Sequence, residues 1–122
     1  MSNNYQCHIT INNRGSSHLI LDKANLDWGE FEIQPVKDIP PKTEVKAFVA
    51  VGKTATPTGP EGNVSYRFES DANLTFNIYF DVPFRPFSKN KVDVTTSNDE
   101  VVASRDGFKG EGNIENCVIK IK

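Results

Sequence analysis

Apolar side chains fall at every second position along most of this chain. Leu74, Phe76, Ile78 and Phe80 alternate with Thr75, Asn77, Tyr79 and Asp81, which predicts a strand with one face in a core and one in water. The same period of two runs from Gln6 to Asn12, and from Leu19 to Trp28 with a slip near Lys23 and Ala24 that predicts a bulge. It continues at Phe31 and Ile33, at Val45, Ala47, Val49 and Val51, and at Val64, Tyr66 and Phe68. Lys91 to Thr96, Glu100 to Ser104 and Asn116 to Lys122 complete eight or nine short strands. No segment has sustained helical periodicity, so the expected fold is all-β, an antiparallel β-sandwich over residues 1–122 as a single domain.

The punctuation between strands is equally informative. "NNRG", "IPPKTE" and "SDAN" are turn or break signals, and residues 52–62, "GKTATPTGPEG", read as a long loop. In "GPEG", Pro60 and Gly62 suit the second and fourth positions of a turn, which would present the Glu61 carboxylate to water. The stretch "DGFKGEG" is expected to be mobile. Pro83 and Pro86 end the strand that began at Leu74, because proline donates nothing to a ladder, yet Phe84 and Phe87 carry the aromatic run into the loop. Phe48, Phe68, Phe76 and Phe80 are assigned to packing, Phe48 least firmly because it lies opposite its strand's aliphatic face. Phe84 and Phe87 are left as an apolar contact surface at one end of the sandwich.

Composition narrows the function. At 122 residues the chain can bury a core without staples, and a net charge of −2 offers no basic footprint for nucleic acid. Cys7 and Cys117 each sit in an alternating apolar pattern near one end of the chain. They are read as two small buried hydrophobes, reduced, in preference to a bridge or a metal pair, with their adjacency left open. His8 and His18 have no partner at metal-ligand spacing, and "NDE" at 98–100 lacks the pattern of a calcium loop. No nucleophile, phosphate-loop or zinc motif is present, so the expectation is a protein that is not an enzyme, with no cofactor and no metal. The first residues, "MSNNYQCHITI", have no basic region followed by an apolar stretch, so synthesis without a signal peptide is expected.

Three segments, "LDWGEF" at 26–31, "TGPEG" at 58–62 and "YFDVPF" at 79–84, occur in that order in an all-β chain of this length. Together they resemble the aegerolysin family, over most of the chain and most weakly after Asn90. Within the family the chain is most similar to the small component of two-part insecticidal crystal toxins of spore-forming bacteria. The resemblance implies a β-sandwich that binds membranes bearing particular lipids, often a sphingolipid such as ceramide phosphoethanolamine. It also implies permeabilisation with a larger protein toxin partner, an oligomer on the membrane, and a product stored in the cytoplasm or a crystal inclusion that acts extracellularly.

Carried over by position, Glu61 matches the glutamate linked to headgroup recognition and Trp28 a tryptophan of the pattern, while Phe80 and Phe84 stand where fungal members have Trp. Phe lacks the indole N–H that holds a ring at the water interface, so the fungal lipid preference does not transfer, and a glycan receptor is the alternative target. The expected lipid- or receptor-binding residues are Trp28, Glu61, Tyr79, Phe84 and Phe87. A lectin-like module, stacking Trp28, Tyr79 or Phe84 on a sugar, is the rival function.

Overall fold

The computed structural model describes residues 2–53, 57–84 and 89–122. Among them are ten strands and no helix: β1 (Ser2–Asn13), β2 (Leu19–Trp28), β3 (Glu30–Ile33), β4 (Asp38–Ile39), β5 (Thr43–Lys53), β6 (Glu61–Phe68), β7 (Thr75–Asp81), β8 (Lys91–Thr96), β9 (Ala103–Asp106) and β10 (Ile114–Ile121). They form two five-stranded sheets, ordered β3-β5-β1-β10-β9 and β4-β2-β6-β7-β8. The sandwich is therefore as expected, with β4 as an additional short strand. All pairings are antiparallel except β1 with β10, whose parallel register sets Ile9 opposite Cys117 and Cys7 opposite Glu115.

Alternation builds the core. In β6 and β7 every second side chain is buried, so Val64, Tyr66, Phe76, Ile78 and Phe80 face the other sheet. Cys7, Ile9, Ile11, Phe48, Ala50, Cys117, Ile119 and Ile121 meet them there. Phe48 and Phe80 touch across the interface with ring centroids 5.3 Å apart, and the edge of Phe31 packs on Phe48 at 5.8 Å. Such tilted and edge-on contacts add to area burial. The Tyr66 hydroxyl, inside the sandwich, donates to the Val36 carbonyl at 2.6 Å, which offsets the cost of burying its polar atom.

Two expectations about faces change. Val45, Ala47, Val49 and Val51 do not share one face, because the β1–β5 register slips between Ile9 and Thr10: Ile9 pairs Phe48 while Thr10 pairs Lys46. An extra residue inverts the alternation beyond it. Val45 and Phe48 both pack in the central cluster, whereas Val49 and Val51, also buried, pair with His8 and Gln6 and lie outside that cluster. The predicted bulge in β2 is present between Leu21 and Lys23, with a second between Leu26 and Trp28.

The stretch at 106–112, expected to be mobile, is tied down. Glu115, fully buried, accepts from the Lys109 and Gly110 amides at 2.7 Å each and from the Asn90 side chain at 3.1 Å. Asn90 in turn donates to the Gly110 and Gly112 carbonyls. A carboxylate accepting three N–H groups inside a protein is a strong, geometrically specific anchor.

Both cysteines are free and buried on neighbouring strands. Burial raises the Cys7 thiol far above its ordinary range and pushes Cys117 up to about 11. Neither forms thiolate near neutrality, so neither should react with a disulfide reagent in the native protein at pH 8. Both should react once denaturant is added. Rapid native labelling of either would contradict this packing.

Candidate functional site

Sheet register gathers the chemistry at one end of the molecule. Trp28 at the end of β2 pairs Glu61 at the start of β6, Glu61 pairs Asp81 at the end of β7, and Asp81 pairs Lys91 at the start of β8. Directly opposed residues share a face at a strand spacing of about 4.8 Å, so a tryptophan, two carboxylates and an ammonium stand in one row across four strands. Tyr79, two residues before Asp81, lies diagonally from Glu61, and its hydroxyl donates to Glu61 Oε2 at 2.5 Å. This bond is the first cause of the raised Tyr79 pKa, with burial and the nearby carboxylates adding to it.

The bond has a pH signature. The folded state holds the phenol protonated above its ordinary value of 10, so this contribution to stability is fully present below that pH and is lost as pH rises above it. Alkaline denaturation of Tyr79→Phe should therefore be less steep above pH 10 than that of the parent. Identical steepness would show that Tyr79 does not hold Glu61.

A concavity of about 570 Å³ lies over this row, lined by Trp28, Glu61, Asp81, Phe84, Lys89 and Lys91 together with Pro57, Thr58, Gly59 and Pro83. Its rim is apolar: Trp28 is 56% and Phe84 39% exposed. Trp28 is thus a surface residue, although a lone tryptophan in a sandwich is more often core. Phe84 rests on Tyr5 of the other sheet with ring centroids 4.6 Å apart, which props it outward at the sandwich end. Phe80, the other ring standing where fungal relatives carry Trp, is fully buried and takes no part. Phe87 lies outside the described residues.

The "TGPEG" segment is not a free turn. Glu61 opens β6, and the Pro60 carbonyl accepts from the Val82 amide at 3.0 Å, so pairing with the neighbouring segment continues past the strand. Glu61 is half-buried and fixed, not held out on a turn tip. Gly59 is there because of close approach: a Cβ would come within 1.7 Å of the Val82 carbonyl oxygen. Gly29, at φ 93°, likewise has the Val51 carbonyl oxygen 2.4 Å from where a Cβ would sit. Both glycines press loops flat against the strands that carry the site.

Of the expected residues, the structure brings Trp28, Glu61, Tyr79 and Phe84 together. Asp81, Lys89 and Lys91 were not singled out from sequence. Asp81 stood inside the quoted "YFDVPF" motif, and only the register of β6, β7 and β8 shows that it shares a row with Glu61 and Lys91. Among the described residues no group of three or more His, Cys, Asp or Glu could hold a metal ion. No helix among them is long and apolar enough to cross a membrane, which says nothing of a β-barrel.

Solved structures share this architecture. RahU, in complex with a TRIS molecule, superposes with a TM-score of 0.76 at 14% identity, covering 97% of this chain and 94% of that one. The lipid binding protein Nakanori gives 0.75 at 14% identity, over 96% of this chain and 69% of the other. IP-1A from Alcaligenes faecalis gives 0.70 at 21% identity, over 98% and 91%. No curated protein sequence matches the chain. Identities this low establish a common fold alone. A match of sequence to family is a separate finding, and it spans nearly everything from β1 to β10: the aegerolysin family model matches residues 4–122, and the chain belongs to the aegerolysin family.

Proposed function

We propose that this protein binds lipid membranes through the Trp28 end of the sandwich, as the targeting component of a two-protein pore-forming toxin. The observation that carries the reading is the pocket itself: two exposed aromatic rings frame two carboxylates and two ammonium groups. That lining is complementary to a zwitterionic headgroup. Glu61 and Asp81 suit an ethanolamine ammonium, and Lys89 and Lys91 suit the adjoining phosphate. Trp28 and Phe84 then lie at the level where acyl chains begin, each contributing about 1.5–3 kcal/mol when buried. The sum supports attachment, and perforation is assigned to a larger protein partner recruited to an oligomer on the surface. Family membership and the fold shared with a lipid binding protein support this reading. Insects as targets and a sphingolipid as the lipid belong to the same proposal. The role is one of binding, with no catalytic step assigned.

Glu61→Gln tests it. The substitution keeps an oxygen for the Tyr79 hydroxyl but removes the charge, and a charge-assisted bond is worth about 1.5–3 kcal/mol, so affinity for phosphoethanolamine-bearing liposomes should fall roughly ten- to hundredfold. The melting temperature should stay within about 2 °C. Equal sedimentation of mutant and parent would remove Glu61 from the site. Saturable binding on a glycan array with no liposome binding would transfer the pocket to the lectin-like reading.

A further inference from the structure

The opposite end of the sandwich carries a second concavity, of about 360 Å³, lined by Arg14, Lys42, Lys120 and Lys122 with Val102 and Ser104 between them. Four cationic side chains and no acidic side chain line it, in a chain whose net charge is −2. Such a local departure focuses positive potential into a concave surface. Among the described residues, only Lys120 of the four has an ion pair, with Asp106 at 2.5 Å.

The pocket is built from four separate segments that the backbone holds in place. Arg14 follows β1 and its amide donates to the Ile121 carbonyl at 2.8 Å. Lys122 and Val102 exchange both backbone hydrogen bonds, at 2.9 and 3.1 Å, which sets the β10 end beside the segment leading into β9. Lys42 reaches across from the turn before β5 to donate to the Arg14 carbonyl at 2.7 Å.

Lys42 supplies a second, independent observation. It sits at φ 57°, alone among the described non-glycine residues in the left-handed region. With Pro41 before it, this is the third position of a type II-like turn, where glycine is the residue without strain. Backbone strain retained at a position that delivers an ammonium into a pocket points to a role for that ammonium.

We propose that this pocket binds a compact oxoanion, a phosphate or sulfate group on a small molecule or headgroup. Arg14 presents a planar fork suited to two oxygens, and the lysines add point charges around it. The volume exceeds that of one bare phosphate and admits a phosphorylated or sulfated group with its neighbouring atoms. The site shares no residue with the Trp28 pocket. It lies about 35 Å away, the length of an 11-residue strand such as β5, so the two can be filled at once.

Calorimetric titration with inorganic phosphate and with pyrophosphate, at fixed ionic strength, tests the assignment. The wild-type protein should bind at least one of them saturably at one site. Lys42→Gly should weaken binding tenfold or more while the melting temperature holds or rises, because glycine suits that φ. Arg14→Gln should weaken it comparably, and it leaves the Lys42 turn untouched should the glycine variant fold poorly. Lys37→Gln, which removes one exposed lysine elsewhere, should leave binding unchanged. Phosphatidic acid vesicles retained by wild type and not by Lys42→Gly would support the site with a headgroup as the anion's source. Phosphate binding without vesicle retention would support it with a soluble source. Lack of saturable binding by both anions, or equal weakening by Lys42→Gly and Lys37→Gln, would overturn the proposal.

Discussion

Glu115→Ala should lower the melting temperature by roughly 10–20 °C, the largest stability effect expected of any single substitution near the binding end. Glu115 is fully buried between Cys7 and the loop at 107–112, and it accepts from Lys109 N, Gly110 N and Asn90 Nδ2. Alanine would take the shared acceptor from all three donors and leave the two part-buried loop amides without it, while Asn90 keeps only its bond to the Gly112 carbonyl. Each unsatisfied donor costs about 1–3 kcal/mol, so a total near 3–5 kcal/mol is expected, against a whole-domain stability of about 5–15 kcal/mol. Glu115→Gln should cost less, about 1–2 kcal/mol, since only its amide group would face donors. The effect should reach the Trp28 pocket as well, because Asn90 stands between the pocket residues Lys89 and Lys91. A melting temperature of Glu115→Ala within about 2 °C of the parent would show that the loop is not held by this carboxylate.

The second large effect is on binding, not stability. Replacing both Trp28 and Phe84 by Ser should leave the melting temperature within a few degrees, because Trp28 is more than half exposed and Phe84 packs chiefly on Tyr5. Loss of two interfacial rings at about 1.5–3 kcal/mol each should weaken vesicle binding a hundredfold or more. Sedimentation with phosphoethanolamine vesicles and a thermal melt on the same preparation read the two quantities together. Unfolding of the double mutant would mean that these rings belong to the core. A folded double mutant that binds like the parent would place recognition elsewhere on the molecule.

How much of this was legible beforehand depended on whether a feature was local. The alternation in β6 and β7 needs only the pleat of one strand, and their buried positions follow directly from the sequence. Phe48 is in the core as assigned, but the single face expected for Val45, Ala47, Val49 and Val51 failed because the slip that inverts β5 belongs to its pairing with β1, some forty residues away. Glu115 was invisible for a similar reason. It occupies an inward position in the alternation of β10, where a charge looks out of place, and the groups that make its burial favourable come from Asn90 and from a glycine-rich loop expected to be loose. Trp28, Glu61, Tyr79 and Phe84, which the structure brings together, were singled out because short motifs carried them. Asp81 and Lys91 were passed over because charged residues at strand ends are common, and only cross-strand register makes these two neighbours. The long loop before Glu61 was overestimated, since pairing already begins at Pro60.

Trp28 is the only tryptophan in the chain, and it stands on the rim of the pocket through which the protein is proposed to meet the membrane. Its fluorescence therefore reports on the central claim without any substitution. In the free protein the exposed indole should emit at the long wavelengths of a solvated ring. On titration with phosphoethanolamine-bearing vesicles the emission should shift to shorter wavelength, and lipids brominated near the headgroup end of their chains should quench it. Vesicles that sediment the protein while Trp28 emission stays unshifted and unquenched would contradict the account, because the membrane would then be held by a different face.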